Sequence, residues 1–469
     1  MYPHYDLIII GAGPGGYTAA IAAAQHGMKT ALVEARETGG TCLNRGCIPT
    51  KTLLHSAELF REMKDAESLG ILAEGLSYDL SAMYRRRDEV TEELRSGIEA
   101  LIKANKVDLY FAQAKVLTAN RVLLNSSEES FELETDKILL AVGSFPSLPP
   151  IEGIKLRGVV TSDELLEGPP IDFKSLVIIG GGVIGVEFAS IFGSLGCTVT
   201  ILEAAERIVP TLDREISQNL SMILKRRGVS IQCSCLVECI SEDGGELCCH
   251  FTGKGGSSEI RAQSVLVSVG RKPNTAGLFA DNLDIAQQRG IVVNEHFETS
   301  EKGIYAIGDA VEGSIQLAHA ASAEAHNVIA EMLGEKPPVN LSVVPSCIFT
   351  SPEIASVGLT AEQAKASGIE VKIGKYAMSG NGKTVIERQE RSFIKLTFDA
   401  DTNVILGAQL MCSRASDLIS EMTSAIANKL TVQQLLAVIR PHPTFTEAVT
   451  EALEDTEDRA VHIMPKAKR

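Results

Sequence analysis

No apolar run in this 469-residue chain approaches the roughly 18 residues that a membrane span requires. The opening MYPHYDLIII also lacks the basic region, apolar stretch and cleavage site of an export signal. A soluble, cytoplasmic protein is expected, with no membrane partner. There is no excess of positive charge: 44 Lys and Arg stand against 60 Asp and Glu, a net charge of −16. That sign repels phosphate backbones and anionic surfaces, so nucleic acid is excluded as a partner class. Ten cysteines are too sparse for a secreted disulfide scaffold and are read one by one for redox or metal chemistry. Long polar and low-complexity tracts are missing too, so disorder does not dominate.

What is present is a core-forming composition, 45% hydrophobic and 22% charged. At about 150 residues per domain, the length suggests roughly three domains. Residues 7–10, LIII, are a short apolar run that stops at Gly11. Gly11-Ala-Gly13-Pro-Gly-Gly16 then opens a small-residue helix, YTAAIAAAQHG, and the strand KTALVEA follows, ending at Glu34. In such a unit Gly11 permits the tight turn, Gly13 lets the backbone approach a pyrophosphate, and Gly16 lets helix pack on strand. Glu34 is placed to accept hydrogen bonds from a ribose diol.

One glycine triplet alone is weak evidence, but the unit recurs. Residues 177–204 align without a gap on residues 8–35, and Gly180, Gly182, Gly185 and Glu203 fall on Gly11, Gly13, Gly16 and Glu34. Two dinucleotide-binding folds, and hence two bound dinucleotides, are expected. A carboxylate at the end of the second strand hydrogen-bonds a ribose 2′-hydroxyl and repels a 2′-phosphate. Glu203 therefore favours NAD over NADP, with Arg207 as the next basic residue.

Shortly after Glu34 comes GGTCLNRGCIPTK, with Cys42 and Cys47 four residues apart, followed by the helical pattern TKTLLHSAELFREMK. Thiols at a helix start meet free N–H groups and a positive dipole, which lower their pKa and make both cysteines reactive. No second close Cys/His pair follows to make a zinc site. Among nine histidines, His442 stands between prolines in RPHPTFTE. Glu447 is open to two readings from spacing, as the acid of a capping box Thr444-Phe-Thr-Glu447 or as a partner of His442.

On these residues the chain resembles the flavin-dependent pyridine nucleotide-disulfide oxidoreductases. The likeness extends through KILLAVGS (137–144), VLVSVGRKPN (265–274), ETSEKGIYAIGDA (298–310) and PHPTFTEA (441–448). Within that family it is nearest to the members that oxidise dihydrolipoamide. The resemblance implies an α/β fold of two Rossmann-like domains, for FAD and then NAD, plus an α+β C-terminal dimerisation domain. The expected boundaries are 1–146 for the FAD domain with its redox disulfide and 147–271 for the NAD domain. Residues 272–341 would form a central domain completing the FAD site, and 342–469 the dimer-interface domain.

The same resemblance assigns Gly11, Gly13, Gly16, Glu34, Lys51, Gly143 and Asp309 to FAD, and Gly180, Gly182, Gly185, Glu203 and Gly270 to NAD. It pairs Cys42, the exchange thiol, with Cys47, the flavin-side thiol, and sets Lys51 beside Glu187 at the reactive edge of the flavin. His442, held by Glu447, becomes the base and faces the other subunit's disulfide in an obligate homodimer. The implied reaction takes two electrons from a dihydrolipoyl group to NAD⁺ through the disulfide and FAD. No lipoyl segment precedes Tyr5, so the arm is expected on a partner, as in 2-oxoacid dehydrogenase or glycine-cleavage assemblies.

The rivals are an NADPH-dependent glutathione-type disulfide reductase, a flavin NADH oxidase or diaphorase, and a non-catalytic flavoprotein. Glu203, Gly185 and Val183 speak against the first, and Cys42, Cys47 and His442 against the others. No metal site is expected, and the remaining eight cysteines are read as structural. His319 and His326 are read as packing or near-flavin residues. Arg45, between the reactive cysteines, either tunes them or projects to solvent. MTSAIANKLTVQQLLAVI (422–439) reads as one helical pattern.

Overall fold

The computed structural model describes residues 2–464. Its first sheet grows from the apolar strand His4–Ile10, whose Leu7, Ile8 and Ile9 are fully buried. Strands Thr30–Glu34 and Ser130–Leu140 flank it in parallel, and Asp108–Phe111 extends the sheet beyond Thr30–Glu34. Continuous Ile/Leu/Val runs suit a parallel sheet covered on both faces. Gln113–Thr118 and Arg121–Asn125 add an antiparallel edge. Far along the chain, Ile304–Ala306 returns to pair with Ile138–Leu140, and helix Ala318–Leu333 packs on helix Pro14–Gln25. Residues 272–341 thus contribute their strand and helix to the first unit's layers.

The second unit is a five-stranded parallel sheet in the order Ser230–Cys233, Thr198–Glu203, Ser175–Ile179, Ser264–Val267, Val159–Thr161. The helix after its glycine turn, Val183–Ser194, stands 169 positions after Pro14–Gln25 at both ends. A three-stranded antiparallel sheet, Leu236–Asp243, Glu246–Gly253 and Gly256–Ala262, packs on one side. Cys233 and Cys235 do not continue one strand. Ser234 takes a positive φ of 57° between them, and Leu236 begins a new strand. The two units are joined by a ribbon in which Ser144–Pro146 pairs with Arg271–Pro273.

The C-terminal unit is an antiparallel five-stranded sheet, Ser346–Ile348, Ile354–Gly358, Ile405–Met411, Phe393–Asp399, Val371–Ala377. The helical pattern over 422–439 proves to be two helices, Ala415–Ala427 and Val432–Leu436. Lys429 turns to φ 52° after the first, and Thr431 starts the second with a capping box to Gln434. One apolar cluster joins Leu53, Leu54 and Phe60 of the first unit, Phe188 and Phe192 of the second, and Ile348, Phe393 and Met411 of the third. This shared core fixes the three units around the thiol pair. Among the described residues no helix is long and apolar enough to cross a membrane.

Candidate active site

Cys42 lies on the short helix Gly40–Arg45, and Cys47 is the first residue of Cys47–Lys64. A side chain at Gly46, between them, would stand 2.8 Å from the Thr41 carbonyl oxygen, so glycine allows the two helices to meet this tightly. Both cysteines are free thiols, close enough that each sets the other's proton affinity through a shared S–H interaction. The two thiols stand in unlike electrostatic settings. That shared interaction is the main reason Cys47 is lowered to about 7; Lys51 assists, while burial and Glu187 oppose. The same interaction, with burial, pushes Cys42 far above the usual thiol range. The pair shares one proton, so stabilising one thiolate costs the other.

Lys51 stands one turn into the helix, its Nζ 2.8 and 3.0 Å from the two oxygens of Glu187. Glu187 is only 3% exposed and also accepts the backbone N–H of Phe349 at 3.0 Å. The carboxylate is therefore fixed by all three units at once. Lys51 also lies over the Phe349 ring, 4.7 Å from its centroid.

Arg45 does not project to solvent. It is 6% exposed, with its guanidinium held by Glu37 of the first unit and by Glu167 at the end of helix Ser162–Glu167. Arg36 reaches the same Glu167 oxygen at 2.6 Å. The same short helix is gripped by Arg87, which donates to Leu166 O at 2.7 Å, and by Arg271, which meets Asp163 at 3.0 Å. Sequence reading missed Glu167 and Arg271 because no local pattern links residues more than a hundred positions apart, and Glu37 because a contact eight positions away across a turn follows no regular spacing.

His442 lies away from this cluster on its own chain. Its imidazole is 78% exposed, Nδ1 is 2.7 Å from Glu447 Oε1, and neither cysteine is its hydrogen-bond partner. The other carboxylate oxygen accepts the Thr444 N–H at 2.8 Å. Glu447 thus plays half of the capping-box role while holding the histidine. The reciprocal half is missing, since the Thr444 hydroxyl bonds Pro441 O and Thr446, and Thr446 precedes helix Glu447–Asp455. Burial works against the Glu447 charge, but the Thr444 N–H and His442 hold its pKa below the usual carboxylate value.

The two dinucleotide cradles repeat each other. Gly11 N donates to Val33 O and Gly180 N to Leu202 O. Glu34 accepts Ala12 N at 2.8 Å and Arg36 N at 2.9 Å, while Glu203 accepts Gly181 N at 2.5 Å and Ala205 N at 2.6 Å. Each carboxylate oxygen keeps a second lone pair for a ribose hydroxyl. A Cβ on Gly16 would stand 1.7 Å from Gly11 O, and one on Gly185 2.0 Å from Gly180 O, so both are demanded by close packing. At Gly13 the nearest atom would be 3.9 Å away, and at Gly182 nothing lies within 4 Å. These two face open space at a helix N-terminus, where a pyrophosphate fits. Asp309 follows strand Ile304–Ala306 and accepts from Ser144 Oγ at 2.6 Å, which accepts Arg271 Nε at 2.9 Å. Gly143 and Gly270, both at positive φ, flank the ribbon, their carbonyls accepting Asn274 N and Ser147 N.

Comparison with known proteins accounts for both halves of this arrangement. Residues 5–325 match the pyridine nucleotide-disulphide oxidoreductase family model, and residues 344–453 match that family's dimerisation domain. The chain belongs to the pyridine nucleotide-disulphide oxidoreductase family. Among relatives of this oxidoreductase, a dihydrolipoyl dehydrogenase of Bacillus subtilis is 38% identical, with 98% of this chain and 100% of the relative aligned. The mitochondrial dihydrolipoyl dehydrogenase of Pisum sativum is 37% identical over 98% of this chain and 92% of its own. A solved Cu(II) complex of the HOCl-induced flavoprotein disulfide reductase RclA from Escherichia coli superposes with a TM-score of 0.86. It is 31% identical and covers 97% of this chain and 99% of its own.

As in the family, the two α/β units are dinucleotide-binding domains for FAD and a pyridine nucleotide, and the third is the dimerisation domain. His319 and His326 are both exposed on the single chain, with His319 Nε2 2.7 Å from Pro345 O. Cys249 and Cys412 are buried, and burial pushes both thiols up to about 12, which keeps them protonated.

Proposed function

We propose that this oxidoreductase is a dihydrolipoyl dehydrogenase, oxidising a dihydrolipoyl dithiol carried by a partner protein and reducing NAD⁺. The observation that carries the reading is the arrangement of Cys42 and Cys47 on two abutting helices, with Lys51 one turn on and bound to the buried Glu187, a setting that favours the Cys47 thiolate. Full-length similarity to dihydrolipoyl dehydrogenases supports the substrate class. In the oxidised resting state the two cysteines form a disulfide. A substrate thiol gives its proton to Nε2 of the partner subunit's His442, whose Nδ1–H is held by Glu447. The thiolate attacks Cys42 Sγ, and Cys47 leaves as the thiolate that Lys51 favours. His442 passes that proton to Cys42 as the second substrate sulfur displaces it and takes the proton of that second thiol, releasing the substrate disulfide and leaving Cys42 as a thiol and Cys47 as a thiolate. The first cradle, with Asp309 and Lys51, would hold FAD, whose chemistry would carry the two electrons of this dithiol to NAD⁺.

Dimerisation is required because His442 is exposed and apart from its own cysteines. Beside it Ile439 is 95% exposed and Val438 50%, an apolar surface suited to a second copy. NAD over NADP is supported by Glu203 and by Arg207, which bonds Pro210 O at 2.8 Å and Leu212 O at 3.2 Å rather than facing the ribose site. Val183, at the mouth of the second cradle, is 44% exposed and leaves it open. The proposed domain limits are 1–146, 147–271, 272–341 and 342–469, and the pairing of Ile304–Ala306 with Ile138–Leu140 supports a role for 272–341 in the FAD unit.

The test is steady-state turnover with dihydrolipoamide and NAD⁺, run beside glutathione disulfide with NADPH. Fast NADH production from the first pair, absent in Cys42→Ser and Cys47→Ser, is expected. Turnover of the second pair alone would overturn the substrate class and the argument from Glu203.

A further inference from the structure

In the second unit, the antiparallel sheet formed by Leu236–Asp243, Glu246–Gly253 and Gly256–Ala262 has two unlike faces. One buries Ile240, Leu247, Cys249, Phe251 and Ala262 against the parallel sheet. The other gathers Cys248 and His250, two residues apart on the same face, with Glu259 paired directly across from His250. Cys248 Sγ, a ring nitrogen of His250 and a carboxylate oxygen of Glu259 all lie within 4.8 Å of one another. Among the described residues this is the one group of three such donors.

The surroundings prepare these donors for an ion. Ser241, across from Cys248 on the other neighbouring strand, has its hydroxyl 2.9 Å from His250 Nε2. With Nε2–H donated to that hydroxyl, the lone pair is on Nδ1, which points to Glu259 at 3.6 Å. An outer hydrogen bond that fixes the tautomer and ring angle of a histidine is a recurrent support of metal sites. Cys248 is 2% exposed, whereas His250 and Glu259 side chains are 37% and 50% exposed, so an ion has a path in from solvent. Arg261 hydrogen-bonds Cys248 and stands 3.4 Å from Glu259, but it is also 2.8 Å from Asp243, a carboxylate that would keep it when an ion takes its place at the two ligands.

We propose that Cys248, His250 and Glu259 form a zinc(II) site, with thiolate sulfur, imidazole Nδ1 and carboxylate oxygen as three ligands and water as the fourth. Sulfur, nitrogen and oxygen donors in a group of four suit zinc, and two negative ligands neutralise its charge. Cupric ion would oxidise the thiolate, whereas zinc has no redox step. Binding is an exchange: the Cys248 S–H bond breaks, the S–Zn bond forms, and the proton goes to solvent. A cysteine thiol is ordinarily protonated at neutral pH, so zinc uptake releases about one proton and strengthens as pH rises. The ion would pin the middle strand to its neighbour, far in sequence from the redox pair.

The test uses FAD-loaded full-length protein carrying Cys42→Ser and Cys47→Ser, so that the redox pair cannot hold metal. Equilibrium dialysis against zinc is expected to give one ion per chain, with proton release seen by calorimetry in two buffers. Cys248→Ser, His250→Gln and Glu259→Gln should each reduce that uptake, and Ser241→Ala should weaken it about tenfold through the histidine alone. The flavin spectrum reports folding, and the two more exposed variants decide the matter if the buried serine variant does not fold. No saturable uptake, or uptake that survives both His250→Gln and Glu259→Gln, overturns the site.

Discussion

Removing the Cys42 thiol should make Cys47 a poorer nucleophile, although Cys42 is not the residue being alkylated. The hydrogen bond from Cys42 is the largest influence lowering Cys47 from 9.0 to about 7, ahead of the Lys51 charge. A thiol with a pKa of about 7 is roughly half thiolate at pH 7, whereas one at 9 is about 1% thiolate. The full span is therefore about fifty-fold in thiolate population, and Cys42→Ala should forfeit the larger part of it. The assay is alkylation of the reduced, FAD-loaded protein by iodoacetamide across pH 5–10, following the Cys47 peptide by mass spectrometry. Wild-type protein should show a midpoint near 7, with reactivity lost as pH falls through that value, because protonation removes the nucleophile. Cys42→Ala should move the midpoint upward, and Lys51→Met should move it upward by less. A midpoint unchanged in Cys42→Ala, or a larger shift in Lys51→Met, would refute the division of the proton between the two sulfurs.

Gly13→Ala and Gly182→Ala should fold and lose affinity for FAD and NAD respectively, because their added methyl meets only the ligand space; Gly16→Ala and Gly185→Ala, aimed at carbonyl oxygens 1.7 and 2.0 Å away, should lose folded yield as well. Ligand titration of soluble, folded protein separates the two classes. Arg45→Met should lower stability by roughly 1–2 kcal/mol, less than a fully buried pair would cost, since Glu37 and Glu167 are 38% and 34% exposed and Arg36 still reaches Glu167. Thermal unfolding followed by flavin fluorescence measures it, and an unchanged Tm would mean that the network is neutral. His442→Gln should lower dithiol turnover by about 10²- to 10⁴-fold while leaving electron transfer from NADH to the flavin intact. Loss of both activities would place His442 elsewhere in the cycle.

Several parts of the molecule were legible because they depend on neighbours in sequence. The buried strand Leu7–Ile10, the turn at Gly11 and the helix after Pro14 follow from apolar runs and glycine spacing, and the repeat 169 positions later has the same hydrogen bonds. Helix breaks were less legible. The pattern over 422–439 keeps a helical spacing of apolar residues, and its interruption depends on a positive φ at Lys429 and a cap at Thr431. The capping reading of Glu447 was half right, because one carboxylate has two oxygens and the fold uses both.

By itself the sequence determined two dinucleotide cradles, a cysteine pair at a helix start and a histidine held between prolines, since each depends on residue type at short spacing. Only the tertiary structure decided how the thiols share a proton, because that depends on the approach of two sulfurs and the charge of Lys51. Burial of Arg45 between Glu37 and Glu167, and the anchoring of Glu187 by Lys51 and Phe349, were likewise decided in three dimensions. Charges and hydrogen bonds act over a few ångströms of space, and a fold that brings residue 45 to residue 167 leaves no trace of that distance in local pattern.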